Sequence, residues 1–384
     1  MNKTKISYKL VTPVLLAFFA ASFCDMVGIG VDRVKLEFEL SNTLAQLIPS
    51  AVFLWFFVLS VPVGIMQDRI GKRNMLNIGL LITTLGLLIP FFLYTFGMVL
   101  LGFALLGIGN TIVQVSANPL LVDVVPSNRR SSFLSFSQFV KSIGSMVAAP
   151  LAGLFAAQYG DWKILFIVFG VVSILTVLWL ASSKIEESKN TQGRATFTSS
   201  FKLLTNRYIA LMVACIFLIV GIDVGINAIS GQFLLGKFSS EQTLAESARS
   251  LYFFGKMLGT FGGAILLTKL SSRKFFAGSS IAGIISIVGL IVAPTEMLAL
   301  IIIFIIGLGV SNIFPLVFSL TVEKYPERAN EISGLMIMAI SGGAIIPPLM
   351  GWMADITSVT TSIFVLVASI VFIFLVSLGK NEAT

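Results

Sequence analysis

Four ionisable side chains stand inside long apolar stretches of the sequence: Asp25, Lys141, Asp223 and Lys256. A charge at the centre of a bilayer costs roughly 2.5–3.5 kcal/mol on insertion scales, so one that persists faces a partner or a water-filled cavity. A carboxylate so placed can carry a proton, and a lysine can serve as its counter-ion or as that of a solute. Amides accompany these charges at helical spacing. Gln114 with Asn118, Gln138 with Lys141 and Asp223 with Asn227 each share one helix face. Asn312 adds a further amide and Tyr252 a ring with a polar tip. This chemistry suits hydrogen bonding to a hydroxylated solute coupled to proton movement. Asp25, Lys141 and Asp223 are the candidate proton-coupling groups; Gln114, Asn118, Gln138, Lys141, Asn227, Asn312 and Tyr252 are the candidate solute-binding groups. Lys256, nearer the end of its stretch, is expected to snorkel to the membrane surface.

The elements that must position these groups are membrane spans. Of 384 residues, 56% are hydrophobic and only 11% charged, against about 25% charged in soluble chains. A span takes roughly 20 apolar residues. Twelve such stretches can be read, at about 10–31, 45–67, 75–95, 97–122, 132–157, 163–183, 207–235, 246–270, 275–293, 296–321, 330–355 and 359–379. The first follows Lys3, Lys5 and Lys9 like a signal peptide, but its length and an even span count make it a retained span. Under this layout Arg33, Lys35, Lys163, Lys237 and Arg249 fall on one side, Lys141 and Lys256 within spans, and every other Lys and Arg on the opposite side. The positive-inside rule then places both termini in the cytoplasm of a cell whose inner membrane holds the protein. The +8 net charge thus reports orientation, not nucleic-acid binding.

Several chemistries are excluded. With no histidine there is no His-ligated metal, Ser-His-Asp catalysis or histidine relay, and Cys24 and Cys215 lie singly in apolar runs. Neither a phosphate-binding loop nor a catalytic motif is present. No enzyme, metal or cofactor is expected.

The chain repeats itself at an offset of 200. Gly107-Ile108-Gly109 matches Gly307-Leu308-Gly309, and Val122-Asp123 to Pro126 matches Val322-Glu323 to Pro326. Midway, Ser182 to Asn206 forms the longest polar connector. A period near half the chain signals a duplicated six-span unit. The turn after span 2 reads Gly64-Ile-Met-Gln-Asp68-Arg69-Ile-Gly71-Lys72-Arg73. It resembles the signature loop of the major facilitator superfamily. Gly64 would allow close helix approach, Asp68 would pair with a cation or a helix N-terminus, and the basic residues would hold the inner side.

Ser116-Ala117-Asn118-Pro119, Ser311-Asn312-Ile313-Phe314-Pro315 and Ser333-Gly334 through Ser341-Gly342-Gly343 to Pro347-Pro348 narrow the likeness. Together they resemble the fucose–galactose–glucose:proton symporter (fucose permease-like) family, over nearly the whole chain. The resemblance implies an all-α polytopic fold of twelve transmembrane helices in two pseudo-symmetric bundles. Residues 1–183 and 207–384 would form the bundles and 184–206 the cytoplasmic linker. Spans 1, 4, 7 and 10 would line a central cavity, and the function would be sugar transport by proton-coupled symport and alternating access, the work of a monomer in the lipid bilayer.

The family has an acid on span 1, matched here by Asp25 across a short gap. Its second acid, on span 4, is Gln114 in this chain, and the asparagine three residues after Gln138 is Lys141. One acid is gone and one base has appeared. Asp25 and Lys141 would then pair and exchange a proton, or Lys141 would be the fixed counter-charge of a sugar acid, or the pair would be a constitutive bridge in a uniporter. A drug or lipid exporter is the rival reading, disfavoured by the amides.

Overall fold

The computed structural model describes residues 7–26, 33–34, 37–40, 47–188 and 196–379, with the side chains at 25, 26, 47, 49, 50, 148–150, 228, 242, 243, 246 and 247 outside that set. Hydrocarbon offers no partner for a backbone N–H or C=O, so each span satisfies its own as a helix. Ten helices of the described residues are long and apolar enough to cross a bilayer, corresponding to spans 2–7 and 9–12. Span 1 is helical over Tyr8–Ala21 and continues as a tighter turn to Met26. Span 8 is a helix of 25 residues, Gln242–Leu266, made more polar by Glu246, Arg249 and Lys256.

The duplication is visible in the helices themselves. Span 3 is Lys72–Phe92 and span 9 is Ser272–Val292; their bounds differ by the 200 residues of the sequence repeat. Span 4, Phe96–Val124, is capped by Thr95, whose side chain accepts from Met98 N; span 10 begins at Glu296 under Thr295, which accepts from Leu298 N. An N-cap hydroxyl satisfies one of the orphan donors of a helix start, worth about 1 kcal/mol. A short 3-10 turn precedes span 5 at Ser127–Arg129 and span 11 at Pro326–Arg328.

Packing repeats as well. A Cβ on Gly107 would run into the carbonyl oxygen of Val52 on span 2, and one on Gly307 into that of Tyr252 on span 8. Span 4 therefore lies backbone-to-backbone on span 2, as span 10 does on span 8. Gly109 likewise abuts Gly79 on span 3, and Gly309 abuts Ala282 on span 9. Small residues permit this approach where no hydrophobic effect drives helices together.

The halves differ in continuity. Span 4 runs unbroken through Pro119. Span 10 is interrupted at Ser311–Asn312, between Glu296–Val310 and Ile313–Lys324; Pro315 has no N–H for the Ser311 carbonyl. Span 11 breaks at Ala339–Ser341, between Ala329–Met338 and Gly342–Ile356.

The chain forms two compact units. The first comprises Met1–Arg130, Val140–Leu203 and Val322–Met338; the second comprises Ser131–Phe139, Leu204–Thr321 and Ala339–Thr384. The start of span 5 thus belongs with the second unit, and the start of span 11 with the first.

The glycine contacts make a testable contrast. Gly307→Ala and Gly107→Ala should each destabilise by about 1–3 kcal/mol, the usual cost of overpacking, read as a lower melting temperature in detergent. Gly153, with nothing within 4 Å of its would-be Cβ, should gain about 0.5–1 kcal/mol as Ala from helix propensity.

Candidate functional site

In the second unit, span 7 (Arg207–Phe238) starts under an Asn206 cap that accepts from Tyr208 N and Ile209 N. Asp223 lies about 24 Å along this helix from its start, within the apolar stretch Arg207–Asn227. Its carboxylate is held by span 8. Lys256 Nζ donates to Oδ2 at 2.6 Å, and the Tyr252 hydroxyl donates to Oδ1. Tyr252 and Lys256 are four residues apart, so one face of span 8 presents both. The side chains of Lys256 and Asp223 are 24% and 19% exposed, while Tyr252 is fully buried. Asn227, one turn on from Asp223, donates Nδ2 to the Asp223 carbonyl at 2.7 Å; its Oδ1 is buried without a hydrogen-bond partner. Arg249 Nε donates to the Asn227 carbonyl at 3.0 Å.

This corrects two expectations. Lys256, expected to reach for the membrane surface, is ion-paired with Asp223. Tyr252 offers no ring face to a solute, being buried with its hydroxyl on Asp223. Asn312 is engaged between spans, its Nδ2 donating to Gly259 O at 2.7 Å and its amide filling the space that a Cβ on Gly263 would need. Gln138, at the start of span 5, is half-buried in this unit.

The first unit holds Gln114 and Asn118, both buried. Asn118 Nδ2 donates to the Gln114 carbonyl at 2.7 Å, and Asn118 Oδ1 has no hydrogen-bond partner. Lys141 is half-buried on span 5. One turn further on, Gly144 packs against the Ser22 side chain of span 1, and Ser145 Oγ lies 3.5 Å from the Ser22 carbonyl. Spans 1 and 5 therefore meet one turn from both Asp25 and Lys141; the Asp25 side chain lies outside the described residues.

The signature loop sits in the same unit. A Cβ on Gly64 would come within 2.7 Å of the Asn330 carbonyl on span 11, and one on Gly334 within 2.9 Å of the Ser60 carbonyl on span 2. Close approach at Gly64 is as expected. Asp68 accepts from the amide of Asn330 at 2.6 Å, and Arg69 is exposed. Gly71 adopts φ +89°, open to glycine at little cost. Its turn aims the first N–H groups of span 3 at Glu187, whose carboxylate accepts from Lys72 N at 2.6 Å and Arg73 N at 3.0 Å. An anion at a helix N-terminus satisfies orphan donors and meets the favourable end of the dipole. Lys72 is 2% exposed and pairs with Asp123 at 2.6 Å; its Nζ also donates to Ser188 Oγ at 2.8 Å. Arg73 donates to the Ser183 carbonyl.

Across the loops between spans, Glu37 accepts from Trp162 Nε1 at 2.9 Å and from the Tyr94 hydroxyl. Burial first, then this carboxylate, holds the Tyr94 phenol well above its ordinary range. Trp162 is thus a buried hydrogen-bonding residue, while Trp352 is exposed.

Sequence reasoning missed Glu187, Ser188 and the depth of Lys72. The only signal was an acidic pair in a polar connector, which looks like any solvated linker. Breaking a buried pair costs about 3–5 kcal/mol because it strands a charge. Lys72→Met should destabilise by roughly that amount, and Lys72→Met with Asp123→Asn should recover much of the loss, measured by thermal unfolding in detergent.

Comparison with known proteins gives a consistent result. A Brucella abortus protein named glucose/galactose transporter is 29% identical over 370 residues, spanning 90% of this chain and 87% of the relative. The cis,cis-muconate transport protein of Acinetobacter baylyi is 27% identical over 358 residues, spanning 86% and 83%. The crystal structure of the transporter FucP in the outward conformation superposes with a TM-score of 0.85 at 18% identity, over 96% of this chain and 97% of that one, a likeness of fold. The family model of the Major Facilitator Superfamily matches residues 13–346 and 213–382. With twelve helical spans, an internal repeat and the signature loop in place, this multi-pass membrane protein belongs to the major facilitator superfamily of transporters.

Proposed function

We propose that the protein takes up a neutral sugar together with protons, by alternating access of two six-helix bundles at residues 1–183 and 207–384 around the linker 184–206. It acts as a monomer in a bacterial inner membrane with both termini in the cytoplasm. The observation that carries this reading is the Asp223–Lys256 pair. It is a carboxylate within an apolar span that neutralises the neighbouring ammonium, so the pair offers a solute hydrogen-bonding atoms without net charge. The partnerless Asn227 Oδ1 and Asn118 Oδ1 supply acceptors of that kind, as Gln114 and Asn118 supply amides in the first unit. The glucose/galactose relative supports the solute class. The basic turns after spans 2 and 8 support the orientation, and a two-bundle mechanism fits the duplicated architecture.

Asp25 and Lys141 belong to the same proposal as a second titratable pair, where spans 1 and 5 meet. The muconate relative keeps one competing reading in view, in which Lys141 is the counter-charge of an organic acid.

The test is uptake in proteoliposomes of neutral hexoses and deoxyhexoses beside sugar acids, with and without an inward proton gradient. Stimulation of neutral-sugar uptake by the gradient is the expected result. Uptake of acids alone, indifferent to the gradient, would overturn symport of a neutral sugar and assign Lys141 to the substrate. Lys141→Asn with Gln114→Glu restores the family pattern and should make transport more proton-dependent than in the parent.

A further inference from the structure

Asp223 has both carboxylate oxygens engaged, one by a neutral hydroxyl and one by an ammonium. These two partners respond differently to a proton. The tyrosine hydroxyl can stay on Oδ1 whether the acid is charged or neutral. A proton on Oδ2 takes the place that Lys256 occupies and removes the charge that held the ammonium. Lys256 must then find another acceptor in a site that is only partly open to water, since an unpaired charge there is costly. Another acceptor on the same helix face as Asp223 is Asn227 Oδ1, buried with no hydrogen-bond partner among the described residues. A sugar supplies others, because each hydroxyl both donates and accepts.

We propose that Asp223, Tyr252 and Lys256 form the coupling site of the transporter, in which a proton and the Lys256 ammonium compete for one carboxylate oxygen, and a sugar binds where the released ammonium and Asn227 Oδ1 face it. This rests on the symport reading above and makes Asp223 on span 7 its proton carrier. Proton transfer from hydronium to Oδ2 yields the neutral acid and water; Lys256 stays an ammonium and donates to a sugar hydroxyl oxygen. Another sugar hydroxyl donates to Asn227 Oδ1. Sugar therefore binds after the proton, and neither is retained well alone. Tyr252 is a positioning residue that fixes Oδ1 and leaves Oδ2 as the titrating atom.

Little else perturbs the site among the described side chains. Span 8 adds Arg249, which is committed to the Asn227 carbonyl, and carries Glu246, whose side chain lies outside the described set. Lys237, on span 7 itself, reaches the Ile291 carbonyl at the far end. Span 10 contributes Glu296 at its start, bonded by Ser240, and span 11 contributes Asp355 at its exposed end. Span 12, Val359–Leu378, and the Ala339–Ser341 turn contain no ionisable side chain.

The experiment uses the full chain in proteoliposomes with D-galactose and D-glucose as probes. Counterflow is measured without a gradient from pH 6 to 8, alongside gradient-driven accumulation and sugar-evoked proton uptake. In the wild type the half-saturating sugar concentration should rise with pH, by up to about tenfold per unit, the limit for one linked proton. Asp223→Asn with Lys256→Gln strands no charge; it should bind sugar more weakly, with a counterflow half-saturation flat in pH, and lose accumulation and proton uptake. Tyr252→Phe should displace the pH profile of counterflow. Accumulation and proton uptake surviving in the double variant would overturn the inference while leaving symport intact. Absence of gradient-driven sugar uptake in the wild type would instead remove the symport reading itself. Should the double variant fail to fold, Lys256→Gln alone decides. With no competing cation, its half-saturation at pH 8 should approach the pH 6 value, and an unmoved profile overturns the proposal.

Discussion

The seating of span 10 on span 8 governs the second unit. Gly307 has no side chain, so its helix lies directly on the Tyr252 carbonyl. That contact fixes the height and rotation of span 8 at the turn from which Tyr252 and Lys256 reach Asp223 on span 7. A methyl group at Gly307 would push span 8 off span 10. Polar contacts in a membrane are short-ranged and earn little individually, averaging about 0.6 kcal/mol. Their geometry must therefore be set by backbone packing rather than by the contacts themselves.

At the signature loop the constraint is electrostatic. Glu187 caps span 3 while Ser188 and Asp123 close around Lys72. The polar connector after span 6 is thereby bound to the ends of spans 3 and 4 over Ser183–Ser188. Further along, the Thr196–Ser199 capping box starts a short helix, and Ser199 donates to Glu331, itself bridged by Arg328. A segment whose composition reads as solvated linker is thus anchored on both sides of its undescribed middle.

Much of this was legible in advance because two signals are strong in a membrane chain. Apolar runs of fixed length mark helices, since nothing else satisfies the backbone there. The 200-residue repeat aligns Gly107 with Gly307, and both are found against the backbone of a neighbouring span. Side-chain partners were less legible. Depth along a span can be counted from sequence, but which face of span 8 meets span 7 cannot, so Lys256 was read as reaching for the surface and Tyr252 as a stacking platform. Glu187 was invisible for a related reason: its partners are backbone N–H groups, which leave no residue-type signature. Asp68 lay between these cases, with the pairing expected and the partner, Asn330, unforeseen.

The 200-residue offset also supplies an internal counterpart to the ionic cluster. Subtracting it from Asp223, Tyr252 and Lys256 leads to Phe23, Val52 and Phe56, each buried and apolar. One ancestral frame has thus been filled in two ways, with hydrocarbon in one copy and with an acid, a phenol and an amine in the other. The first copy demonstrates that the frame needs no charge at these positions to pack, as replacement of buried ion pairs by apolar groups elsewhere suggests. The ionic cluster of the second copy is thus a departure from a frame that, in the first copy, packs with apolar side chains at the corresponding places.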